Sequence, residues 1–395
     1  MTNEKSMAST VNLPRSGQTT CYDAGGAQVA CAGTGQDGDI KAGVAWPTPR
    51  FTDNGDQTIT DNLTGLIWAK DAGTPAVGAC TGGKMAWTKA LDYVACLNAA
   101  NYLGYNDWRL PNINELESLV NAEQSSPGQW LATQGYTNVE SDHYWSSTTY
   151  ARFTSDVWNV IVWCGLVVNS AKSLSFFVWP VRTEQSGSNG NSAVWATGQK
   201  QSYYSGDDGA IGAGVAWPSP RFTNDGTGTV TDNLTGLTWT KNANPAKETK
   251  TWQQALDYVA SMNTGRGTYG YIDWRLPNRR ELRSLVDHSK YGSALPAGNP
   301  CTNVQNYYWS SSTNAGKPSY ARNVNMYDGD VHAGYKAGSG YVWAVRGGHV
   351  GNLINSVISH SGDGGAFGSD TINSPDGKIN RGSVWGRIVR LLGLR

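Results

Sequence analysis

The chain is written twice, and this duplication restricts its possible folds more than any other feature. "GVAWPTPRFTDNGDQTITDNLTGLIWAK" (Gly43 to Lys70) returns as "GVAWPSPRFTNDGTGTVTDNLTGLTWTK" (Gly214 to Lys241). "WTKALDYVACLN" from Trp87 returns as "WQQALDYVASMN" from Trp252, and "DWRLPNINELESLV" from Asp107 as "DWRLPNRRELRSLV" from Asp273. "YWSS" stands at both Tyr144 and Tyr308, and the copies close on "VWPVR" and "VWAVR". A repeat of this length is a whole folding unit rather than one turn of a solenoid. The reading is a first domain over 12–184, a polar linker over 185–193, a second domain over 194–347 and a Gly/Ser-rich tail over 348–395.

Within each copy the local code indicates an α+β domain of short antiparallel strands and two helices. "FTDNGDQTITDNLTGLIW" alternates strand formers with turn residues at Asn54-Gly55 and Thr64-Gly65, which predicts a β-meander. Trp87, Ala90, Leu91, Val94 and Leu97 fall at helical spacing. A second helix is expected after Pro111, where Asn112 and Glu115 have capping-box spacing; Asn278 and Glu281 repeat it.

Lys plus Arg and Asp plus Glu both total 31, so no global field recruits nucleic acid or an anionic membrane. No stretch reaches the ~18 apolar residues of a membrane span, and "MTNEKSMAST" lacks the apolar core of a signal peptide. Of six cysteines, Cys21 and Cys31 flank a Gly-rich turn and Cys80 precedes the helix carrying Cys96, spacings compatible with two local disulfides.

The final segment of each copy has diverged far more than the opening scaffold. The Gly43 to Lys70 stretch matches its partner at most positions, whereas Val157 to Trp179 matches Ala321 to Trp343 at only about a third. Strand alternation puts Val160 and Val162 inward and Ile161 and Trp163 outward. The outward letters of the first copy are Ile161, Trp163, Cys164, Leu166 and Val168, with Leu174 and Phe176 following. Those of the second are Asn325, Tyr327, Asp328, Asp330 and His332, with Tyr335 following. All are candidate ligand-binding residues, because an exposed apolar patch commonly marks an interaction site. An inter-domain or subunit contact in an appendage or virion is the competing expectation.

"TDNLTGLIWAK", "DWRLPNINELESLV", "YWSSTTYA" and "VWPVR", with their second-copy partners, closely resemble the Lcl C-terminal domain family, named for the ligand-binding end of a bacterial collagen-like adhesin. The resemblance implies two tandem C-type-lectin-like domains in a secreted, cell-surface or phage-associated protein, with a protein ligand or a surface glycan as partner. Some members are similar to targets of diversity-generating retroelements, in which adenine mutagenesis yields a residue set excluding Trp, Met, Lys, Gln and Glu. Most differing positions of the final segment stay inside that set; Trp158, Trp163 and Met326 do not.

A related lectin-like group includes the formylglycine-generating oxidase, which needs paired thiols. Cys164 and Cys301 have no counterparts in the opposite copy, and no HExxH, GxSxG or P-loop is present, so the expectation is a protein that is not an enzyme and needs no cofactor. Asp53, Asp56 and Asp61 are a weak calcium candidate. Arg109, Arg275, Arg182 and Arg346 are expected to be scaffold, in an ion pair with Asp107 or Asp273. Trp46, Trp68, Trp108, Trp145 and Trp179 are expected to be core.

Overall fold

Alternating strand formers and turn glycines yield what they should: each copy opens on a three-stranded meander, and the rest is built around it. The computed structural model describes residues 11–183 and 194–347; the predicted linker and tail lie outside the described residues. The N-terminal arm holds a ribbon of β1 (Cys21–Tyr22) and β2 (Gln28–Val29), closed by the Cys21–Cys31 disulfide, and one helical turn, α1 (Asp37–Ile40). The first body follows with β3 (Phe51–Asp53), β4 (Thr58–Asp61) and β5 (Leu66–Ala69), then α2 (Trp87–Ala99), α3 (Ile113–Ser118) and α4 (Pro127–Thr133). It ends with β6 (His143–Thr149), β7 (Asp156–Ile161), β8 (Leu166–Ala171) and β9 (Val181–Thr183). The second arm carries α5 (Asp208–Ile211). The second body repeats the plan with β10 (Phe222–Asn224), β11 (Thr229–Asp232), β12 (Thr238–Thr240), α6 (Trp252–Ser261), α7 (Arg279–Ser284), β13 (Tyr307–Thr313), β14 (Tyr320–Asn325), β15 (Val331–Tyr335) and β16 (Val345–Arg346).

The expected helical stripe is buried: Trp87, Ala90, Leu91, Val94 and Leu97 pack with Trp108, Trp145 and Val157, and the Cys80–Cys96 disulfide fixes α2 to the preceding loop. The capping boxes form as read, Asn112 accepting from the Glu115 N–H and Glu115 from the Asn112 N–H, with Asn278 and Glu281 doing the same. Beyond the two expected helices the first copy has α4, opened by Pro127 at a position where a missing N–H costs nothing. The recurring tryptophans are core except Trp46, which is half-buried and lies over the Arg50 guanidinium at 4.2 Å.

The expected ion pair of Arg109 with Asp107 is replaced by another. Arg109 and Arg275 grip Glu115 and Glu281, the capping carboxylates, while Asp107 and Asp273 take Arg182 and Arg346 at 2.7 Å. Glu115 at the third helical position turns back toward the helix entry, so its carboxylate serves Asn112 and Arg109 together.

The two bodies are joined by an exchange of arms. The first arm begins on its own body, Ala122 N–H donating to Ser16 O, then crosses to the second. There the Gln18 amide donates to Thr313 O at 3.0 Å and accepts from Thr313 N–H at 2.7 Å, and Asp37 accepts from the Ser312 hydroxyl. The second arm does the same on the first body: Gln199 donates to Thr149 O at 2.8 Å and accepts from Thr149 N–H at 2.9 Å, and Asp208 accepts from Thr148 at 2.7 Å. Both glutamines act at a register shift in the sheet, where a bulge loosens β6 from β7 and β13 from β14.

Burial raises the Asp37 and Asp208 carboxyls to about 6, against the pull of the Ser and Thr hydroxyls that donate to them. The folded pKa lies above the usual carboxylate value, so the fold binds protons the unfolded chain has released, and stability should rise as pH falls from 7 through 6 toward 4. Thermal melts should show a higher Tm at pH 5 than at pH 7; in Asp37→Asn/Asp208→Asn that difference should shrink, and an unchanged difference would reject the assignment.

The bodies also share a sheet. Strand order is β13-β14-β15-β8-β7-β6, all antiparallel, with β8 of the first copy paired to β15 of the second at Val167 and Val331. Each meander forms a separate four-stranded sheet completed by β9 or β16. Among the described residues no helix is long and apolar enough to cross a membrane.

Candidate functional site

Cross-strand partners in a sheet project on the same side, so the registers identify the residues of each face. One face, with Trp158, Val160, Val167, Val324 and Val331, is sealed in the central core. On the other, His143 pairs with Ile161 and Ile161 with Leu166; the antiparallel pairing at Val167 and Val331 puts Leu166 beside His332, which pairs with Asn323. A second row runs from Trp145 through Asn159 and Val168 to Asp330, Asn325 and Tyr307. The two divergent final stretches therefore lie side by side on one continuous face.

α2 and α6 cover only the ends of this face, through Trp145 and Trp309. The centre is left open. Phe176 bridges the first end and the centre, stacked on His143 at 4.5 Å and against Trp145 at 4.4 Å. Ile161, Leu166 and Val168 are half-buried, an apolar strip passing directly into the polar pair of Asp330 and His332. The Asp330 hydrogen bond to His332 raises its pKa above the ordinary imidazole value, burial opposing it.

Of the residues predicted from sequence, Ile161, Leu166, Val168, Phe176, Asp330 and His332 are brought together here. Trp163 stands in the β7–β8 turn and is 52% exposed, so its indole is not in the first body's interior. Leu174, in the turn after β8, is exposed. Five expectations need correction. Asn325 is 6% exposed and spends its side-chain oxygen on the Tyr327 N–H; Asp328 is buried against the Tyr150 hydroxyl of the first copy at 3.0 Å. Tyr335 is exposed, but its register places it opposite to His332 in facing, against Tyr320 at 5.5 Å. Tyr327 is half-buried with the Arg152 guanidinium of the first copy 5.2 Å from its ring, and the Cys164 carbonyl accepts from Arg322 of the second. The junction between copies thus claims Tyr327, Asp328 and Cys164, which alternation along a single strand could not reveal.

His143, Asn159, Asn323 and Tyr307 were missed. Asn159 and Asn323 are the aligned pair of the two final segments; Asn159 holds His143 Nδ1 at 2.8 Å and Ser170 at 3.0 Å beneath the face. His143 and Tyr307 each precede a YWSS motif, so their equivalence is legible in the letters; that they lie on the open face follows from the strand register.

The three carboxylates considered for calcium do not converge. Asp61 is buried on Arg50, Asp53 faces Lys70, and Asp56 accepts from Thr58 and Tyr105. Among the described residues no group of His, Cys, Asp and Glu has a metal-holding arrangement.

The family model described as the Lcl C-terminal domain matches residues 57–182 and again 228–346, together more than half of the chain. No curated protein matches the chain.

Proposed function

The chain belongs to the Lcl C-terminal domain family, which it carries twice, and from that premise we propose that it is a non-enzymatic, adhesin-like binding protein whose contact surface is the open face of the six-stranded sheet. The observation that carries this reading is the convergence of the two divergent segments on one face while the matching segments build the core. A C-type-lectin-like scaffold, with the final strands offering side chains to a ligand, is the fold this reading takes. The apolar strip of Ile161, Leu166 and Val168 with exposed Trp163 suits a protein ligand, since large apolar anchors dominate interface energy. Asp330 and His332 suit the polar rim of such a contact or a glycan.

The two local disulfides support a location outside the cytoplasm, on a cell surface or a phage particle. Diversification by a retroelement would explain the divergence of the final segments; a reverse transcriptase and an imperfect template copy in neighbouring DNA would test that part alone.

The binding test uses Ile161→Ser/Leu166→Ser/His332→Ala and the unaltered protein on arrays of immobilised glycans and of host-surface proteins. The variant is expected to lose at least about tenfold in binding to whatever the unaltered protein captures, with each substitution shifting stability by about 1 kcal/mol or less. Unchanged binding would overturn the assignment of this face. An inter-domain or subunit contact is the second reading, its inter-domain form favoured by the contacts at Cys164 and Asp328; it requires Trp163→Ser to break an oligomer or loosen the two domains.

A further inference from the structure

Four guanidiniums from the second copy are buried at the junction of the bodies: Arg279, Arg280 and Arg283 on α7 and Arg322 on β14. One carboxylate from the first copy bonds them; Asp61, near Arg280, is spent on Arg50. Glu117 accepts from Arg279 and Arg283, each at 2.8 Å. Arg280 donates instead to the carbonyls of Ser118 and Val120, and Arg322 to that of Cys164. The aligned positions of the first copy hold Ile113, Asn114, Glu117 and Trp158, so the positive excess is not matched across the pseudo-dyad.

Several of these donors have nothing to bond. Arg279 Nη1, Arg283 Nη2 and Arg322 Nη1 are buried without a hydrogen-bond partner. Two of the three heads converge on one turn. Arg279 Nη1 is 3.6 Å from the point where a Cβ on Gly165 would sit, and Arg322 Nη2 is bonded to the adjoining Cys164 carbonyl. Burial and the neighbouring Arg279 charge bring the Arg322 guanidinium down to about 9, as expected where like charges share a dry site. The adjacent Cys164 thiol does not supply the missing negative charge, because burial pushes its pKa up. Uncompensated buried charges and unpaired donors are costly, and a bound counter-ion would relieve both.

We propose that a small inorganic anion, of the chloride class, is held between the Arg279 and Arg322 guanidiniums against the Cys164–Gly165 turn. The ion completes the charge balance that Glu117 begins and ties the hairpin carrying Trp163 to the second body. The turn admits only glycine at 165: its φ is 69°, and a Cβ there would come 2.8 Å from Val120 Cγ1.

Crystals grown in sodium bromide, with parallel crystals in sulfate and in phosphate, read the site directly. An anomalous bromide peak, or a tetrahedral oxyanion, within hydrogen-bond reach of both guanidiniums is expected, the arms distinguishing a halide from an oxyanion. In solution, chloride should raise the Tm of anion-depleted protein by about 3–5 °C and then saturate, relative to sodium gluconate at equal ionic strength. Arg322→Met should abolish that difference; if this variant does not fold, the bromide map decides alone. Water without anomalous signal at the site, together with superimposable melts in chloride and gluconate, would overturn the proposal.

Discussion

Glu117→Leu is expected to cost about 3–5 kcal/mol of stability, the usual penalty for leaving buried charges without their counter-ion. The carboxylate belongs to α3 of the first copy and the arginines to α7 of the second, so this loss falls on the junction and not on either body's own core. Burial alone would raise the Glu117 pKa, but Arg283 and Arg279 outweigh it and hold it at about 2. The folded value is below the unfolded one, so the stabilisation is fully present above about pH 4.5 and is lost as pH falls through 2. Asp37 and Asp208 act in the opposite sense at higher pH. The product is a stability maximum in mildly acidic solution, with a descending acid limb that Glu117→Leu makes shallower. Urea denaturation measures the cost; Glu117→Leu/Arg279→Met/Arg283→Leu should recover much of it, because an apolar replacement of a whole buried ion cluster is commonly tolerated. A Glu117→Leu variant within about 1 kcal/mol of the parent would contradict the electrostatic account.

Gln199→Leu should cost about 2–6 kcal/mol, since it strands one buried N–H and one buried carbonyl at about 1–3 kcal/mol each. Gln18→Leu should do the same. The location of the damage is as informative as its size. Hydrogen exchange should accelerate at Thr149, in the first body, when residue 199 of the second copy is changed, and at Thr313 when Gln18 is changed. Acceleration confined to the altered residue's own copy would rule out the exchange of arms.

What was legible in the sequence was local. The meander follows from turn glycines between strand formers, α2 from the spacing of Trp87 to Leu97, and the entry to α3 from Asn112 and Glu115. Alternation along β7 correctly sent Val160 and Val162 inward and left Ile161 half-open. The shared sheet and the exchanged arms depend on contacts between residues 50 to 295 positions apart, to which periodicity is blind. Their traces were present as paired differences: "ELES" against "ELRS" places Glu117 where the other copy has Arg283, and these two meet. "GQ" at Gly17-Gln18 and again at Gly198-Gln199 marks the two arm clasps. Asp328 was misread because a polar letter in a turn looks solvated until another body closes over it, and Asn325, at the end of β14, because its side chain folds back onto the Tyr327 N–H. Arg109 was matched to its nearest opposite charge in sequence, Asp107, whereas the helix entry turned Glu115 toward it.

The two copies form one compact unit, and the face that their shared sheet leaves open is expected to tolerate substitution. Saturation mutagenesis at Ile161, Leu166, Val168, Asp330 and His332, with Val160, Val167, Val324 and Val331 as the opposed set, measures this directly when each variant is scored for protease-resistant folding. Most substitutions, polar and charged included, should be accepted at the first set, and nearly all polar substitutions should unfold the protein at the second. Equal intolerance in both sets would mean that the outer face is core, and the recognition surface assigned to it would not exist.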